Sequence, residues 1–189
     1  MTAGPKHALL SVEDYLDGEL RSEVKHEYLG GEVHAMAGAT NRHNLISSNA
    51  LGILFAGLRG KPCRAFNSDT KVRVELSSQT RFYYPDAQVV CDLNSGNDSF
   101  QERPVVVIEV LSDSTRRADL LEKKEAYLMI ATLKVLIFVE PDEPLLIVHR
   151  RRPDGGFTKE EYFGLEKSVP LPEIGTELKL EEVFEGLEF

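Results

Sequence analysis

The chain has 189 residues, 42% of them apolar and 28% charged, the balance of an ordinary soluble domain with a core of its own. Its 31 acids outnumber 22 bases for a net charge of −9, which excludes a protein that coats phosphate with its whole surface. No apolar run is long enough to span a bilayer and no signal-peptide pattern opens the chain, so a soluble, cytoplasmic protein is expected.

Ser11-Val-Glu-Asp14 reads as a capping box that opens a short helix. Residues 25–29 and 32–36 flank Gly30-Gly31, a two-residue hairpin signal. After Gly38 and Thr40, Leu45, Ile46, Ile53 and Leu54 recur at near-helical spacing until Gly60-Lys-Pro62. Residues 71–76 alternate as a half-exposed strand should. Residues 82–91 form a second β segment interrupted by Pro85, which predicts an edge, a bulge or a bend. Residues 93–103 are polar and read as a loop.

Residues 105–111 are a continuous apolar run, the pattern of a strand buried on both faces. Residues 112–115 can cap a helix running through Ala118 to about Ile130. Residues 135–140, 145–149 and 157–163 follow as strands. With no repeat and no linker, this order predicts one mixed α/β or α+β domain over residues 1–189. Cys63 and Cys91 sit in no metal or redox spacing; two buried thiols are expected, with a disulfide as the alternative.

One charge, Glu109, interrupts the apolar strand. An ionised carboxylate there costs several kcal/mol unless it is paired or holds a metal. The plain account is a salt bridge to Arg116 or Arg117; the functional account is a metal ligand. Asp86 follows Pro85 inside another β segment, where a bend can turn it toward a cleft or an Asx turn can absorb it. Lys123 lies in the helix after Glu109's strand. It either points back over the strand ends or is an exposed lysine beside Glu122.

Glu27-Tyr-Leu-Gly-Gly-Glu-Val33, Met36-Ala-Gly-Ala39, His43-Asn44 and Tyr84-Pro-Asp86 form the first half of a series. Val107-Ile-Glu-Val-Leu-Ser112, Ser114-Thr115, Asp119, Lys123 and Tyr127 complete it. In order and spacing this series resembles the Uma-type restriction endonucleases of the PD-(D/E)XK nuclease superfamily, over about residues 12–150. The resemblance implies a restriction-endonuclease-like mixed β-sheet flanked by helices. Around that nuclease-like core lie an N-terminal hairpin and additional C-terminal strands.

It also implies a carboxylate site for Mg²⁺, with Mn²⁺ as a substitute. Asp86 matches the acid of the Pro-Asp pair and Glu109 the second acid; the Val110 carbonyl would add a third hard oxygen. The family's usual lysine, two positions after the second acid, is replaced here by Leu111, and Lys123 falls where a helical lysine stands in. Glu27 matches an N-terminal acid near the metal. His43 matches a histidine at the start of the long helix, a candidate for touching the site or a phosphate, with capping or packing as the alternative. Asp119 either acts or pairs with an arginine, and Tyr127 reads as a packing residue.

The implied function is metal-dependent endonucleolytic hydrolysis of phosphodiester bonds in nucleic acid, with DNA as the substrate and a homodimer as one way to cut two strands. The alternative is a nuclease fold kept for binding or assembly without catalysis. Residues 153–189 hold ten acids against three bases, an acidic C-terminal extension ill suited to phosphate. Arg116-Arg117 and residues 150–152 supply local positive charge that could receive a backbone phosphate.

Overall fold

The computed structural model describes residues 9–36, 38–112 and 116–189. The expected cap at residues 112–115, the Ser114-Thr115 motif and Ala37 therefore fall wholly or partly outside the described residues. The Ser11 hydroxyl caps α1 (Val12–Glu19) by accepting from the Asp14 N–H at 3.1 Å. Gly30 and Gly31, at φ of 62° and 111°, turn β1 (His26–Leu29) back into β2 (Glu32–Ala35) as the hairpin signal predicts. Next, α2 (Asn41–Gly57) buries Ile46, Ala50 and Leu54 at strict i, i+4 spacing, whereas Leu45, expected on the same face, is exposed.

The strands that follow are β3 (Arg64–Asn67), β4 (Lys71–Glu75), β5 (Thr80–Tyr83), β6 (Ala87–Val90), β7 (Phe100–Gln101) and β8 (Pro104–Val110). A helical segment then runs through α3 (Arg116–Ala118), a π-helical turn (Asp119–Lys123) and α4 (Lys124–Leu128). The chain ends with β9 (Val135–Val139), β10 (Leu145–Arg151), β11 (Phe157–Phe163), β12 (Ser168–Leu171), β13 (Thr176–Lys179) and α5 (Leu180–Val183). Short β7 interrupts what the sequence presents as an uninterrupted loop.

Six strands form the central sheet in the order β11-β10-β9-β8-β6-β3, and five form a second sheet, β2-β1-β5-β4-β7. β8 pairs parallel with β9 and antiparallel with β6, so it lies inside the sheet. Its side chains alternate between two cores: Val106, Ile108 and Val110 pack with α2, and Val107 packs with Tyr127 of α4. That is why the run reads as apolar throughout. The molecule is a mixed α+β fold, one of the two classes that the element order predicts.

Two sequence expectations change at the sheet boundaries. Residues 82–91 are not one bent strand: β5 belongs to the five-stranded sheet and β6 to the six-stranded one, with Pro85 at the crossover. Cys63 and Cys91 are not free thiols. Antiparallel pairing of Arg64 with Val90 sets the preceding and following cysteines side by side, and they are disulfide-bonded. The disulfide, given as the alternative, replaces the two expected thiols. The acidic tail is woven into the main core, where Val169, Leu171, Leu178, Leu180, Val183 and Phe184 pack with α2 and the central sheet.

Candidate active site

The crossover at Pro85 delivers Asp86 to the start of β6, beside the end of β8. There the Val110 N–H donates to Asp86 Oδ2 at 2.7 Å. Glu109 projects from the other face of the same strand end, 4% exposed. On the π-helical turn Asp119 and Lys123, four residues apart, face each other at 3.1 Å. Lys123 Nζ also lies 2.8 Å from Glu27 Oε1 of β1 and 3.7 Å from Glu109 Oε1. The exposed-lysine account of Lys123 is therefore corrected: it is 6% exposed, with three carboxylates around it.

Glu109 does not pair with Arg116 or Arg117, the plain account of its burial. Its partners are Lys123 and the Tyr127 hydroxyl, which donates to Oε1 at 2.8 Å. Arg116 is instead held by Glu140, its two Nη atoms donating at 2.6 and 2.7 Å to the two carboxylate oxygens. Arg117 is exposed, and neither arginine is among the described residues lining the cleft. Among the described residues the ion pair of Asp119 is with Lys123. Tyr127 does pack, edge-on to Tyr83, but its hydroxyl reaches the site as well. Its position one turn beyond Lys123 was the available signal for that second role.

A cleft of about 730 Å³ opens over this cluster, with Asp86, Glu109, Asp119, Lys123 and His43 on its walls. Glu27 stands behind Lys123, outside the lining. His43 sits in the first turn of α2, its backbone N–H donating to the Thr40 cap. Its Nε2 lies 3.0 Å from the Val110 carbonyl and 3.4 Å from Asp86 Oδ2. Facing two acceptors, Nε2 must carry the proton. Burial works against the charged imidazolium, yet the bonded, nearby Asp86 carboxylate and the Val110 carbonyl outweigh it and raise the pKa.

Burial pushes the Glu109 carboxyl well above the ordinary carboxylate range; Lys123 draws it down, and Asp119, Asp86 and Glu27 push it further up. Burial alone would lower the Lys123 ammonium, but Glu109, Glu27 and Asp119 more than offset this and raise it, so it stays protonated. Asp86, Glu109, Asp119 and Glu27 thus gather around one ammonium and one imidazole, and a cation would relieve the mutual repulsion that raises Glu109.

Among the described residues no three His, Cys, Asp or Glu side chains form a metal cage by themselves. Two carboxylates supplemented by water and substrate oxygens are nevertheless how Mg²⁺ is ordinarily held. The bonds above engage Asp86 Oδ2 and Glu109 Oε1, leaving the second oxygen of each cleft-lining carboxylate for an ion. The Val110 carbonyl already meets His43, so one lone pair remains to it. The all-oxygen donor set fits a hard divalent cation.

The sheet order and this carboxylate–lysine cleft define a restriction-endonuclease-like α+β protein. The chain belongs to the Uma2 family, described as "Putative restriction endonuclease", which it matches over residues 12–187. It is 30% identical to the uncharacterized protein slr1290 of Synechocystis over 95% of this chain and 94% of that one. It is 27% identical to sll1609 of the same organism over 70% and 75%. A solved structure with the same fold is that of a "putative nuclease belonging to DUF820" from Anabaena variabilis. It has TM-score 0.68 and 18% identity, and the match covers 89% of this chain and 96% of that one. Among the described residues no helix is long and apolar enough to cross a membrane.

Proposed function

We propose that this protein is a metal-dependent endonuclease that hydrolyses phosphodiester bonds, with DNA as the substrate and Mg²⁺, replaceable by Mn²⁺, as the ion. A homodimer acting on two strands in the cytoplasm belongs to the same reading. The observation that carries it is the place of Lys123. Just past the end of β8, the buried Leu111 stands where the family's lysine is expected, and a helical ammonium lies 3.7 Å from Glu109. Asp86 and Glu109 would hold the ion, which when bound supplies charge neutralisation and an acidified water.

The chain's own groups then divide the remaining work. The Val110 N–H and His43 fix the Asp86 carboxylate, and Tyr127 fixes that of Glu109. Lys123 is protonated and therefore cannot be a general base. It serves as a hydrogen-bond donor to phosphoryl oxygen, stabilising the charge that grows there. Glu27 and Asp119 keep that ammonium charged and aimed.

The test is plasmid nicking with Mg²⁺ or Mn²⁺, with and without EDTA, beside Mn²⁺ titration calorimetry. Asp86→Asn and Glu109→Gln are expected to abolish both signals while the circular dichroism spectrum is kept. Lys123→Met should spare metal binding and slow nicking by about 10²–10³. Variants that bind metal and cut as well as the parent would overturn the reading. A parent that binds DNA but never nicks it would assign the fold to binding or assembly.

A further inference from the structure

The cleft has a second concentration of charge that the carboxylate site does not use, on the wall formed by Lys25, Ser68 and Tyr84. Lys71 opens β4, where the alternating pattern predicts exposure, yet it is 4% exposed. Its Nζ lies 5.1 Å from the centroid of the Tyr84 ring, and Lys25 Nζ lies 5.6 Å from the same ring. Two ammonium groups are thus gathered on one aromatic side chain, two residues before Asp86: Lys25 lines the cleft with Tyr84, and Lys71 lies behind that lining.

Among the described residues no carboxylate forms an ion pair with Lys71. The acid that influences it most, Glu19, is spent elsewhere. Tyr84 Oη and the His26 N–H each donate to its Oε1 at 2.8 Å, and His26 Nδ1 meets its Oε2 at 3.2 Å. Burial accordingly lowers the Lys71 amine; Glu19 acts against this and Lys25 adds to it. A ring face compensates a desolvated ammonium only in part. Lys25 Nζ donates to the Ser68 carbonyl at 2.9 Å and meets Asp69 at 2.5 Å. That pair is 40% and 69% exposed, the weak and exchangeable kind.

An oxyanion at the Tyr84 wall would supply the missing counter-charge to Lys71 and compete with solvated Asp69 for Lys25. We propose that Lys71 and Lys25 form a phosphate subsite that takes a backbone phosphate of the nucleic-acid strand next to the one cleaved. This rests on the nuclease reading, because it is the adjacent carboxylate site that makes a strand the source of the phosphate.

The test is the salt dependence of binding to a short fluorescein-labelled DNA duplex in EDTA, where no cutting occurs, for the parent, Lys71→Gln, Lys71→Arg and Lys25→Gln. Each glutamine variant is expected to reduce the slope of log K against log salt by about 0.9, the value of one released phosphate contact. Lys71→Arg should keep it. An unchanged slope in both glutamine variants, with circular dichroism unchanged, overturns the subsite. Should Lys71→Gln fail to fold, the half-exposed Lys25→Gln still decides.

A second arm separates the strand from free phosphate and the subsite from the nuclease reading. Thermal midpoints are compared in inorganic phosphate and in chloride at matched ionic strength. A parent that binds duplex neither in EDTA nor with Ca²⁺ overturns the nuclease reading and the strand as source. A phosphate-dependent rise lost in Lys71→Gln would then identify a free-phosphate site. No rise and no duplex binding overturns the subsite itself.

Discussion

Tyr127 donates its hydroxyl to Glu109 Oε1 at 2.8 Å, and both side chains are sealed from solvent, at 0% and 4% exposure. The tyrosine sits one turn beyond Lys123, so a single helical segment sends both an ammonium and a hydroxyl to one strand carboxylate. Tyr83 closes the arrangement by packing edge-on against the Tyr127 ring at 5.4 Å. Glu109 is thereby held in one orientation before any ligand arrives.

Tyr127→Phe keeps the ring and its packing but leaves a buried carboxylate one donor short. The expected cost is about 1–3 kcal/mol in urea unfolding. Mn²⁺ affinity should fall about 10–100-fold by calorimetry, the usual effect of freeing a ligand from its supporting bond. Unchanged affinity would mean that Glu109 keeps its place without the tyrosine.

The Cys63–Cys91 bond ties β3 to β6 across a separation of 28 residues in sequence. Loop-closure entropy for a segment of that length predicts a stabilisation of about 3–4 kcal/mol. Urea unfolding with and without dithiothreitol should show that loss, and Cys63→Ser should show it without reductant. Two titratable thiols in the native, non-reduced protein would refute the pairing.

Arg151, one of three consecutive arginines open to a phosphate-receiving reading, is committed to the fold. It donates to the carbonyls of Leu128 and Ile130 at the end of α4, and to those of Leu133 and Gly155. Arg150 is tied to Glu160 and Glu173, and Arg152 to Asp154. Arg151→Ala is expected to cost about 1.5–3 kcal/mol in unfolding. The salt slope of DNA binding should stay unchanged; a fall in that slope without a loss of stability would return Arg151 to the nucleic-acid interface.

Local chemistry accounts for much of what is legible in the chain. Gly30-Gly31 announces its hairpin because two consecutive positive φ angles suit few other residues. The apolar run around Glu109 announces a strand covered on both sides, and one acid within it announces an unusual environment. Lys71 shows where such reasoning stops. Alternation separates two faces of a strand but does not say whether both are covered, and here Lys71 and Val72 are both buried. Pro85 is similar: a break is visible, but whether it bends one strand or divides two sheets depends on partners distant in sequence.

The acidic tail carries the same lesson. Its charge set it apart from the body of the chain, while its buried apolar residues make it part of the core. The sequence by itself determined most helices and strands as far as residue 163, a mixed α/β or α+β class, and the set of acids and lysine matched to the family series, because propensity, turn chemistry and spacing are local. Only the tertiary structure decided which of those charges meet. Lys123 rather than an arginine stands beside Glu109, Arg116 goes to Glu140, and two cysteines become one bond. Each outcome depends on strand register and helix placement over long separations, where burial makes an unpartnered charge costly enough to select its neighbour.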